Sequence, residues 1–198
     1  MFNVLDGSHM VATRPWIAFF SQTGSEIVEV SKILGRWPNK IITNHRPSHL
    51  RTINQDIPTH LLHWTENKPE EHEYHWLLMG YENPIITLHG WLRVVPESVC
   101  NQYEIYNGHP GLITKYPELK GKDPQYRAWE GNYRSAGCVI HRVTAGVDEG
   151  EVLMERESIH KQLSRNEIFR ILHDTSVEMW GEFLQDKLWL DEFISRSQ

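Results

Sequence analysis

Cysteine is scarce in this chain: its 198 residues hold two, Cys100 and Cys138. They lie far apart and outside any C-x-x-C spacing, which excludes a zinc ribbon and a disulfide framework. Both are expected as reduced thiols. Also missing is any uninterrupted apolar run of about 20 residues, so no segment reads as a transmembrane helix. The first residues lack the basic, then apolar, then small-residue order of a secretory signal. We therefore expect a soluble, cytoplasmic protein with no membrane partner. Nor is there an excess of positive charge: 20 Lys and Arg stand against 26 Asp and Glu, a net charge of −6. That argues against a nucleic-acid partner held by bulk electrostatics. Internal repeats and low-complexity tracts are absent as well, and a homodimer stays open.

What is present fits one α/β domain over residues 11–198, long enough to bury a sheet between helices without disulfide support. The stretch "GSHM" at Gly7 to Met10 resembles a cloning scar, so residues 1–10 are set aside. From Pro15, "PWIAFFSQTGSEIVEVSKILG" gives an apolar run, a polar turn, and then Ile27, Val30, Ile33 and Leu34 at helical spacing, closed by Gly35. "NKIITNHRP" and "THLLHW" suggest further short strands. "KPEEHEYHWLLMG" carries helix boundary signals, with acids in the first turn and glycine at the end. "NPIITLHGWLRVV" reads as a continuous strand buried on both faces, and "YEIYN" as the next. Strands alternating with helices predict a mostly parallel sheet with right-handed crossovers.

The second half changes character. "AGCVIHRVT" and "GEVLMERESI", joined by "AGVDEG", suit antiparallel pairing. "LSRNEIFRILHDTSVEMWGEFL" opens with Ser164 and Glu167 in capping-box spacing and places Ile168, Ile171, Leu172, Thr175 and Met179 along one face. It predicts a long amphipathic helix against the sheet.

Polar signals fall where apolar runs stop. At "YEIYNGHPG" the glycines and proline end the strand, leaving Asn107 and His109 at its carboxyl end, the ligand-binding edge of an open α/β sheet. Taken alone, Asn-x-His at a strand end is ordinarily a capped turn. Two further polar loops, "SQTGSE" and "VTAGVDEG", follow other strands, and Asp148 lies 41 residues beyond Asn107.

The ordered set "SQTGSE", "HGWLRVVP", "NGHPGLITKYPEL" and "GCVIHRVTAGVDEGEVL" resembles the folate-dependent formyltransferases, the family of glycinamide ribonucleotide transformylase and of the methionyl-tRNA formyltransferase catalytic domain. The resemblance runs over roughly residues 15–180 and implies a single Rossmann-like domain: a mostly parallel sheet, antiparallel toward its C-terminal portion, with helices on both faces. It implies 10-formyltetrahydrofolate as co-substrate, a small-molecule amine as acceptor, and Asn107, His109 and Asp148 as catalytic residues. The chemistry accounts for those types. Asn107 and His109 can hydrogen-bond to the oxyanion formed when an amine attacks a formyl carbon, and Asp148 can orient the imidazole and help move the proton that the amine loses. By the same resemblance Leu92, Arg93, Val94, Val95, His141 and Val147 would bind the folate, and Gly24, Ser25 and Glu26 the acceptor. Without it, Val94 and Val95 are equally well core residues and His141 an ordinary strand histidine.

Some positions depart from the family. Where a Gly-Ser-Asn segment receives substrate phosphate in glycinamide ribonucleotide transformylase, this chain has Gly24, Ser25 and Glu26, and a carboxylate there opposes a phosphate. As a first-turn acid, Glu26 could equally serve only the helix. The Asp-Gly-Gly loop becomes Asp148, Glu149 and Gly150, and Gly111 stands where the family usually has Ser or another small residue after His-Pro. Few residues follow the long helix, so a compact enzyme without the tRNA-positioning domain is expected. We expect an amino sugar nucleotide or related small amine as acceptor, its pyrophosphate meeting residues such as Lys115 or Arg134. Glycinamide ribonucleotide is the alternative. Two other classes stay open: a metal-dependent hydrolase built on His89, His109, His141 and Asp148, and a folate- or nucleotide-binding module without catalysis.

Overall fold

The computed structural model describes residues 3–5, 9–11, 13–45, 52–159 and 163–189. Of the GSHM stretch, Gly7 and Ser8 lie outside the described residues. β1 (Asn3–Leu5) and β2 (His9–Val11) pair with each other antiparallel. The main sheet holds β3 (Trp16–Phe20), β4 (Lys40–Thr43), β5 (Leu62–Trp64), β6 (Ile85–Leu88), β7 (Glu104–His109), β8 (Ser135–Arg142) and β9 (Val152–Ile159). Its spatial order is β5-β4-β3-β6-β7-β8-β9. Pairs are parallel from β5 to β7 and antiparallel across β7–β8 and β8–β9. The sequence-based sheet is thus present, including its change of direction.

Strand alternation divides the core into two layers. Trp16, Ala18 and Phe20 of β3 pack with α1 (Ser25–Leu34) and α5 (Arg165–Leu188) on one face. Ile17 and Phe19 pack with α2 (Glu71–Leu78) and α3 (Glu97–Gln102) on the other. Helices therefore cover both faces. α1 ends at Gly35 in the left-handed conformation, and the Ser164–Glu167 capping box that starts α5 is formed in full. α4 (Pro124–Glu130) follows a 3-10 turn over Pro117–Leu119 and sets Ala128 against Ile113, Leu119 and Val139.

Two strand boundaries differ from the sequence expectation. β6 is four residues long, and "HGWLRVV" leaves the sheet: Gly90 takes φ +65 and turns the chain outward, a conformation costly for any side chain with a Cβ. β7, by contrast, runs on through Gly108 to His109, because β8 pairs with that stretch (Asn107↔His141, Gly108↔Ile140, His109↔Val139). Gly108 is there for close approach. A Cβ on it would lie 2.6 Å from Trp180 Nε1 on α5.

Candidate active site

The carboxyl ends of β3, β6 and β7 and the start of β8's exit loop surround a cavity of about 710 Å³. All twelve residues anticipated as site residues line it: Gly24, Ser25, Glu26, Leu92, Arg93, Val94, Val95, Asn107, His109, His141, Val147 and Asp148. Lys115 and Arg134 do not. The Lys115 Nζ is instead held by Glu157 at 2.8 Å and Ser135 at 2.9 Å, so the cation lining this cavity beside Arg93 is Lys122. A second hollow of about 460 Å³, lined by Asn44, Trp64 and Trp76 among others, holds none of these residues.

At the cavity's center, four side chains from three segments meet. β7 and β8 pair Asn107 with His141 directly across the ladder. The loop after β8 swings back with Asp148 at φ +51, a left-handed conformation that Asp tolerates better than most residues. Asn107 Nδ2 lies 3.1 Å from His141 Nε2 and 3.4 Å from Asp148 Oδ1. Asp148 Oδ1 is 3.2 Å from His141 Nε2, and its Oδ2 is 3.3 Å from His109 Nδ1. The Gly121 amide donates to Oδ2 at 2.8 Å. Burial opposes the charge on Asp148, but the hydrogen bond from His141, the nearby His109 and the Gly121 amide outweigh it, lowering its pKa to about 2. His109 is 5% exposed. Burial is the main influence on it and pulls its pKa below the usual 6.5, while Asp148 and the Leu119 carbonyl push the other way.

The same cavity is lined by exposed apolar residues. Leu92, Val94 and Val147 are half or more exposed, as apolar residues at a ligand surface are, whereas Val95 is buried in the core layer. Arg93 is tied down by the Asn67 backbone and side-chain oxygens and by the Leu92 carbonyl at 2.7 Å, which fixes the loop it belongs to. Glu26 turns inward to His89, Oε1 to Nδ1 at 2.9 Å, with Ser176 Oγ at 3.4 Å.

The sequence reading missed that pairing, along with Ser176 and His173. A signal was available: Phe169, Leu172, His173 and Ser176 share one helical face of α5, and all four line the cavity. His89 does not join the other histidines. Its ring nitrogens are taken by Glu26 and by Thr87 Oγ1 at 2.8 Å, so a metal cluster of His89, His109, His141 and Asp148 is not assembled. Among the described residues, no group of three or more His, Cys, Asp or Glu is arranged to hold a metal ion.

Residues 22–181 match the Formyl transferase family. The chain belongs to that family. A methionyl-tRNA formyltransferase of Fervidobacterium nodosum is 28% identical over 57% of this chain, which spans 34% of that protein. A phosphoribosylglycinamide formyltransferase of Bacillus subtilis is 28% identical over 38% of this chain and 38% of its own length. The chain thus spans well under half the length of these relatives. Its fold is that of a glycinamide ribonucleotide transformylase from Geobacillus kaustophilus, with a TM-score of 0.71, 20% identity, and coverage of 88% of this chain and 98% of that one. A formyltetrahydrofolate deformylase from Pseudomonas syringae shares it too, with a TM-score of 0.69, 17% identity, and coverage of 90% and 64%. Among the described residues of this family member, no helix is long and apolar enough to cross a membrane.

Proposed function

We propose that the protein is an N-formyltransferase that moves a formyl group from 10-formyltetrahydrofolate to the amine of a small acceptor. The observation that carries this reading is the convergence of Asn107, His109, His141 and Asp148 in a cavity that is also lined by the exposed apolar residues Leu92, Val94 and Val147. An apolar wall suits a flat pteridine ring, and the polar cluster suits the reacting carbon.

The co-substrate supplies the formyl group and departs as tetrahydrofolate. One N–H of Asn107 points to Asp148 Oδ1, to which His141 Nε2 also donates, and the second N–H is the donor we assign to the oxyanion that develops as the acceptor amine adds to the formyl carbon. His109 stands beside it with Nδ1 on Asp148. Asp148, ionised at neutral pH, holds both imidazoles in place and, with His109, helps pass the proton that the amine gives up to N10 of the departing tetrahydrofolate as the bond from the formyl carbon to N10 breaks. No covalent bond to the protein is needed.

For the acceptor we favour an amino sugar nucleotide or a similar small amine. Glycinamide ribonucleotide is the second reading, favoured by the names of the phosphoribosylglycinamide formyltransferases that share the fold. Both are tested by incubating the protein with 10-formyltetrahydrofolate and a panel of amines and reading products by mass for the gain of one formyl group. A stable reduced folate should raise the unfolding free energy by about 2.7 kcal/mol at 100 times its Kd. No stabilisation by any reduced folate would overturn the proposal.

A further inference from the structure

The polar residues at the first loop form a chain with a fixed direction. Trp16 Nε1, fully buried, donates to Thr87 Oγ1 at 2.8 Å. Thr87 in turn lies 2.8 Å from His89 Nε2, and His89 Nδ1 lies 2.9 Å from Glu26 Oε1. The nitrogen facing a carboxylate must carry the hydrogen, so Nδ1 donates to Glu26, and Nε2 is left to accept from the Thr87 hydroxyl. Every donor then meets an acceptor, and the chain ends on a carboxylate held in one orientation. Ser176 adds a second donor to the same oxygen, Oε1. Among the described residues, no hydrogen bond is made to Glu26 Oε2. Glu26 lines the same cavity as Asn107, His109 and Asp148, and its partner His89 directly follows Leu88, which pairs with Asn107 across β6–β7.

We propose that Glu26 is the residue that selects the acceptor and that His89 is its positioning residue: through Oε2 the pair takes hydrogen-bond donors of an uncharged or cationic sugar and repels a phosphate monoester. This rests on the formyl-transfer reading only for the identity of the cavity, and it deepens that reading by naming the acceptor's chemistry. A carboxylate accepts and cannot donate, so hydroxyl or ammonium groups are its partners, and a phosphate oxygen set against it meets like charge in a partly desolvated cavity.

The test uses two probes that differ by one phosphate, glucosamine and glucosamine 6-phosphate, each titrated into the full chain and followed by NMR shifts. The unaltered protein should bind glucosamine about tenfold or more tightly than its phosphate. Glu26→Gln, or Glu26→Asn if the first variant does not fold, should move that ratio at least about tenfold toward the phosphate. His89→Ala should lose part of the preference, and His89→Asn, which keeps an N–H near the position of Nδ1, should restore it. An unchanged ratio in the Glu26 variants overturns the selectivity role. His89→Asn behaving no better than His89→Ala overturns the positioning role. Titrating 5-formyltetrahydrofolate into the same proteins reads the formyl-transfer proposal separately, because failure to bind it leaves the sugar ratios as measured.

Discussion

Replacing Asp148 with Asn removes a charge while keeping the shape, and the consequence can be worked from the site. The ionised carboxylate is held by His141, His109 and the Gly121 amide strongly enough to bring its pKa from 3.8 to about 2 despite burial. A depressed carboxyl contributes stability that is fully present above the unfolded value of 3.8 and lost as pH falls through about 2. The depression corresponds to about 2 kcal/mol. Asn stands in for the neutral acid, so Asp148→Asn should be less stable by about 2 kcal/mol at pH 7, or about 4–8 °C in Tm for a domain of this size. The gap should close as pH is lowered toward 2, where the native carboxyl is itself protonated. Urea or thermal melts of both proteins at pH 7 and pH 3 measure it. Formyl transfer should fall by about 100-fold or more in the variant, because His109 loses the carboxylate that favours its protonation. A stability gap independent of pH, or an unchanged turnover, would refute the reasoning.

Asn107→Ala should keep the fold and lose about 2.7–4 kcal/mol of transition-state stabilisation, read as kcat, with reduced-folate affinity nearly unchanged. Gly108→Ala drives a Cβ to 2.6 Å from Trp180 Nε1; it should cost about 1–3 kcal/mol, measured by denaturant unfolding. Because burial lowers the pKa of His109 below 6.5, the unfolded chain binds the extra proton first, so stability should fall as pH drops below about 6.5; His109→Gln should flatten that part of the profile. Cys100 and Cys138 are buried thiols whose pKa values burial raises; both should resist a thiol reagent until the protein is unfolded.

Elements whose packing is written in local periodicity are legible in the amino-acid sequence alone. The α1 and α5 boundaries follow from Gly35 and the Ser164–Glu167 box, and the antiparallel pairing of β8 with β9 follows from the short polar connection between them, whereas the reversal at β7–β8, across a connection that carries α4, has no such local mark. The cavity's lining is legible for a different reason: family motifs mark backbone positions, and the fold brings those positions to one edge of the sheet. What the sequence hides are partnerships set by long-range geometry. Nothing local ties Glu26 to His89, which lies 63 residues away, or to Ser176, 150 residues away. The run from Ile85 to Val95 is apolar enough to read as one strand, yet the chain leaves the sheet at Gly90 to wall the cavity. Gly108, read as a strand breaker, is retained inside β7 because Trp180 occupies the space where a side chain would go.

His109 carries the part of the proposed mechanism that its contacts argue for most directly. Its Nε2 faces the Leu119 carbonyl at 2.9 Å and its Nδ1 faces Asp148 Oδ2 at 3.3 Å. Both neighbours are acceptors. A neutral imidazole has one hydrogen to give, so whichever tautomer forms, one ring nitrogen turns a lone pair toward an oxygen. Proton uptake would satisfy both contacts, but burial opposes the charge and holds the pKa low. The two penalties are opposed, and neither state of the ring is fully satisfied. A histidine that only has to hold a neighbour in place settles into a tautomer with a donor and an acceptor matched, as His89 does between Thr87 and Glu26. The mismatch at His109 leaves a ring satisfied in neither state, and in the proposed formyl transfer the arrival of an amine that must shed a proton would be the change to which its protonation responds.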